Sequence, residues 1–110
     1  MAPGLAEQVE LIRRLVAGDL GPEEFAGRWL AARRRALEAG ERVPLPLERL
    51  LDEVFFAVED YVPQPELRDP GELSGPQLVE RVRAVAGRVE EYVRHVSPGG
   101  DRGGAEAPSA

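Results

Sequence analysis

"ELSGPQLVERVRAVAGRVEEYVRHV", Glu72 to Val96, decides the fold. Leu78, Val82, Val85, Val89, Tyr92 and Val96 recur at steps of three or four, the spacing that gathers side chains on one stripe of an α-helix. A strand would need steps of two. Just before the stripe, Ser74 and Gln77 form an S-x-x-Q capping box, in which each side chain satisfies a backbone amide left open at a helix start. The stretch therefore reads as a long amphipathic helix that needs partners for its apolar face.

The rest of the chain supplies three such partners. From about Leu5 to Ala17, Leu5, Val9, Ile12 and Val16 form a stripe that ends at Gly18, a residue suited to helix termination. In "DLGPEEF", Pro22 fits the first position of a new helix, and Glu23 and Glu24 meet the positive end of its dipole. This second helix, roughly Pro22 to Ala39, has a wide apolar arc made by Phe25, Ala26, Trp29, Leu30, Ala32, Ala36 and Leu37, with Arg33 inside it. After Gly40 the prolines of "ERVPLPLE" force an extended connection. A third helix starts near Pro46 or Leu47 and sets Leu47, Leu50, Leu51, Val54, Phe55, Val58 and Tyr61 on one side.

No segment alternates as a strand, so the fold class is all-α. Short connections between the early helices favour an antiparallel four-helix bundle. The divisions are an N-terminal arm over 1–4, a helical domain over 5–96 and a disordered tail over 97–110, where "SPGGDRGGAEAPSA" has no periodicity and is rich in Gly, Pro and Ser. At 110 residues one core is the natural outcome.

Composition excludes several classes of function. There is no cysteine, hence no disulfide framework or thiolate chemistry. No signal core and no bilayer-length apolar run is present, so a cytoplasmic protein without a membrane partner is expected. The formal charge of -6 repels nucleic acid and favours a basic partner. All 14 basic residues are arginine, the usage of a GC-rich bacterial coding sequence.

Catalytic arrangements are hard to assemble. Asp52 with Glu53, and Glu59 with Asp60, are sequence neighbours whose side chains diverge on a helix, and Glu48 and Asp52 lack a group that would split their pKa values. His95 stands alone without metal-ligand spacing. Ser74 and Ser97 read as caps or turns, and the tail glycines follow no strand. No catalytic residue, cofactor or metal site is expected. The run Arg33, Arg34, Arg35 with Arg42 is one short basic patch in an acidic chain, without the interleaved aromatics of a nucleic-acid surface. Arg34 and Arg35 turn toward solvent. Arg33, set among apolar side chains, requires a carboxylate partner on the third helix, with Glu48, Asp52 and Glu59 as candidates.

Acid gathers in one region. From Glu48 to Glu72 there are eight acids and two arginines, a local charge of -6 that equals the charge of the whole chain. Phe55 belongs to the apolar stripe, but Phe56 points about 170° from its centre, among Arg49, Asp52, Glu53, Glu59 and Asp60. Either the proline-rich linker or a neighbouring helix covers Phe56, or it is an aromatic anchor within a charged ring that steers a basic partner. Its exposure separates the two.

"LVAGDLGPEEFAGRWLAARRRALE", "LLDEVFFAVEDYVPQPELRD" and "ELSGPQLVERVRAVAGRVEEY" together resemble the colicin D immunity family, also described as self-protective colicin-like immunity proteins. The shared pattern is a short turn before an E-F helix start, an arginine run late in that helix, an L-D-x-x-F stretch ending in an acid and tyrosine, and a proline-bracketed linker ending in Leu-Arg. It covers about Leu15 to Tyr92. The resemblance implies an antiparallel four-helix bundle, monomeric when free, that neutralises the C-terminal nuclease domain of a bacteriocin. Such a domain is typically a tRNA anticodon-loop ribonuclease with a basic cleft, met by an acidic surface that mimics RNA phosphates. Asp52, Glu59 and Asp60 carry over by motif position as toxin-binding acids; Glu53, Glu66 and Asp69 join them through the charge count, with Phe56 as anchor. Gln64 stands where an acid is expected between the prolines, and Gly21 where a hydroxyl cap is. An alternative from another class is a structural module that self-associates through the wide arc of the second helix.

Overall fold

The computed structural model describes residues 1–96, and the tail expected over 97–110 lies outside them. Four α-helices, α1 (Pro3–Ala17), α2 (Pro22–Glu38), α3 (Leu45–Asp60) and α4 (Gly75–Val96), enclose one core, and no strand occurs among the described residues. α1 packs most extensively on α2, and α3 on α4; α4 also meets α1 and α2. Trp29, Phe25, Ile12, Leu47 and Leu78 are the largest side chains sealed inside. The α4 stripe is buried at Leu78, Val82, Val85 and Val89 and half-buried at Tyr92.

The capping box at the start of α4 is made in full. The Gln77 side chain accepts the Ser74 amide at 2.8 Å, and the Ser74 hydroxyl accepts the Gln77 amide at 3.3 Å. The start of α1 corrects the expected boundary. The helix begins at Pro3, so residues 1–4 are not a separate arm. Pro3 at the first helical position is a local start signal, and a second contribution comes from a distant residue. Glu41, just beyond α2, places its carboxylate at the start of α1 and accepts the amides of Gly4 at 2.8 Å and Leu5 at 2.9 Å. A negative charge on open amides at the positive end of a helix dipole is favourable. Gly4 is also sterically required, because a Cβ there would stand 2.7 Å from the Cβ of Ala36 and 2.8 Å from Glu41 Oε2.

α1 closes at Gly18 in the left-handed region (φ 84°), and the Asp19 amide returns to the Arg14 carbonyl at 2.9 Å. α3 begins at Leu45, one residue before the earlier of the two expected starts, Pro46 and Leu47, with Pro44 as the cap. Its buried residues, Leu47, Leu51, Val54, Ala57 and Val58, make the core-facing stripe. On α2, Phe25, Trp29, Ala32 and Ala36 are buried, while Ala26 and Leu30 pack against the core. Of the wide arc, only Leu37 is left strongly exposed.

Between α3 and α4 the chain forms a closed loop. Its ends are tied by backbone hydrogen bonds, Leu73 to the Asp60 carbonyl at 2.7 Å and Val62 to the Leu73 carbonyl at 3.0 Å. Inside it, Pro65–Leu67 make a single 3-10 turn. The Arg68 guanidinium donates to the Val62 carbonyl from Nε at 3.0 Å and Nη2 at 2.9 Å, drawing the far side of the loop toward its entry. A proline-rich segment that could not continue the helix is thus ordered by its own backbone.

Candidate functional site: the outer face of α3

α3 divides the two phenylalanines as its geometry demands. Phe55 is half-buried against the core, whereas Phe56 is 62% exposed. Their rings meet edge to face, with centroids 5.8 Å apart. Neither the linker nor a neighbouring helix covers Phe56. Exposed apolar residues scattered singly are ordinary, and Leu37, Leu45 and Leu67 are comparably open. What sets Phe56 apart is that it is an aromatic ring on a helix face otherwise made of charged side chains.

The acids around it fall into two groups. Asp52 is engaged: its Oδ1 accepts the Arg33 Nη2 at 2.9 Å, which settles Arg33's partner among the three candidates. The Arg33 guanidinium also lies over the Phe55 ring, 4.8 Å from its centroid, and 5.7 Å from that of Trp29. Its side chain is only 21% exposed, so a charge, two rings and a carboxylate form one half-buried assembly between α2 and α3. Glu53 is engaged as well, accepting Arg88 of α4 at 2.8 Å.

Glu59 and Asp60 are different. Both are exposed, and among the described residues neither forms an ion pair. They occupy the last turn of α3, where there is no basic residue and where the helix dipole is itself negative. Glu66 is exposed on the 3-10 turn. Asp69 is exposed, and its amide donates to Glu72 Oε1 at 2.7 Å. Tyr61 stands where this patch meets α2; burial pushes its phenol pKa upward, with the Glu23 charge acting in the same sense and Arg68 opposing. Reasoning from sequence missed Leu67, 64% exposed on the loop. Its only signal was an apolar residue between Glu66 and Arg68 with no stripe to join.

Two members of the arginine run are neutralised within the fold. Arg33 is held by Asp52, and Arg35 pairs with Glu7 of α1. Arg34 and Arg42 are exposed and form no ion pair among the described residues. His95 is exposed, with Nδ1 2.8 Å from the Glu91 carbonyl. Compared with known protein families, curated proteins and solved structures, the chain matches none. Functional inference therefore rests on the chemistry of this face.

Proposed function

We propose that this chain is a bacteriocin immunity protein of the colicin D type. In this reading its helices form an antiparallel bundle that acts in the cytoplasm, free as a monomer, and blocks the basic active-site cleft of a cognate nuclease toxin of the tRNase class. The observation that carries it is Phe56, 62% exposed on the same face as Glu59 and Asp60, which form no ion pair among the described residues. An aromatic anchor within a charged rim is the pattern of a binding hot spot, and uncompensated charge speeds encounter with a basic cleft. The motif resemblance over Leu15 to Tyr92 supplies the class of partner. Glu53, Glu66 and Asp69 extend the acidic rim, and Asp52 contributes chiefly by fixing α3. No catalytic step is assigned to the chain, and no cofactor.

The self-association alternative needs the apolar arc of α2. Most of that arc is spent inside one molecule, which favours the inhibitor reading. Co-expression with the product of the neighbouring upstream reading frame tests it. Survival and co-purification are expected with the native chain, and both should be lost when Glu59 and Asp60 become lysine with helicity intact. Unchanged protection by that variant overturns the assignment of this face.

A further inference from the structure

α3 displays the same chemistry twice, once filled and once open. On the inner side, Phe55 and Asp52, three residues apart, hold the Arg33 guanidinium by stacking and by a 2.9 Å hydrogen bond. On the outer side, Phe56 is followed at three and four residues by Glu59 and Asp60, close enough on a helix, about 5–6 Å between Cβ atoms, to act with it. Positions three and four residues apart share one helix face, so both exposed carboxylates stand on the same side of α3 as the Phe56 ring. Among the described residues no cation lies over Phe56, and neither acid is paired.

We infer that Phe56, Glu59 and Asp60 form a receptor for one arginine side chain of the partner protein. This rests on the reading of the outer face of α3 as the docking surface, and it adds the chemistry of its central contact. The guanidinium lies flat on the exposed ring and donates from its edges to the two carboxylates. Arginine suits this arrangement better than lysine because its planar, weakly hydrated cation stacks while its N–H groups remain available in the ring plane. Glu53 does not compete for the same cation, since Arg88 already occupies it.

The test uses the full chain and capped tetra-arginine and tetra-lysine peptides at equal ionic strength, followed by chemical-shift titration. Tetra-arginine is expected to bind about two- to fivefold more tightly than tetra-lysine, the ratio corresponding to one exposed cation–π contact. Phe56→Leu, at an exposed position, should bring the ratio to about one while leaving thermal unfolding nearly unchanged. Glu59→Gln with Asp60→Asn should weaken both peptides. A ratio of one with the native chain, a preference that survives Phe56→Leu, or no binding of either peptide overturns the receptor. If the arginine preference fails while co-expression still protects cells through Glu59 and Asp60, the docking surface stands and the arginine contact falls. If the preference holds without protection, the inhibitor reading falls and the arginine receptor stands.

Discussion

Arg33 and Asp52 show how one ion pair fixes the orientation of a surface. The pair joins α2 to α3, and the guanidinium stacks on Phe55, whose ring meets the exposed Phe56 ring edge to face. Side-chain exposures of 21% and 41% place it between a fully screened surface bridge and a buried one. Asp52→Asn should lower stability on the order of 1 kcal/mol, because the half-buried guanidinium loses its charged acceptor. Arg33→Met, which keeps packing and removes the charge, should make Asp52→Asn nearly silent. Urea unfolding of the two single variants and the double variant measures that coupling; additive losses would mean the contact contributes nothing to the fold. The sequence placed Arg33 in an apolar arc and required an acid on α3, yet left three candidates. The choice depends on the rotation of α3 about its axis, which is set by core packing.

At the level of elements, α3 ends in a way that works against its own stability. Glu59 and Asp60 add negative charge to the negative end of the helix, and no basic residue in the last turn offsets them. Glu59→Gln and Asp60→Asn should each stabilise the free protein by about 0.3–1 kcal/mol. The same changes should weaken partner binding, so thermal midpoint and protection are expected to move in opposite directions. A loss of both would show that the acids support the fold. Helix α4, by contrast, was legible almost completely, since its stripe and its capping box are local patterns. The start of α1 was not. Its cap, Glu41, lies 37 residues from Gly4 and belongs to no local motif. Phe56 could be placed from helical angle alone; that no other described residue covers it required the path of the loop.

Across the whole molecule, ion pairs tie neighbouring helices together: Arg13 to Glu90 between α1 and α4, Arg35 to Glu7 between α2 and α1, Arg33 to Asp52, and Arg88 to Glu53. The Arg13–Glu90 contact is bidentate, at 2.6 and 2.9 Å. Its hydrogen bond to Arg13 holds the Glu90 carboxyl below the ordinary value of 4.5. A depressed folded pKa contributes stability that is complete above the unfolded value and disappears as pH falls through the folded one. The gain is modest, about 0.2–1 kcal/mol, because water screens an exposed pair. Glu90→Gln should therefore be less stable than the native chain near neutral pH and converge with it in acid, as read by urea midpoints across that range. Most of these pairings join distant parts of the chain, and for that reason composition revealed the surplus of acid but not which acids stay unpaired.

The loop between α3 and α4 leaves and returns at one point, since Asp60, Val62 and Leu73 share backbone hydrogen bonds. The helices it joins are held at that junction, whatever the intervening residues are. Its exposed residues, including Glu66, Leu67 and Asp69, are consequently open to exchange with little effect on the core, which the junction rather than the loop's own side chains keeps closed.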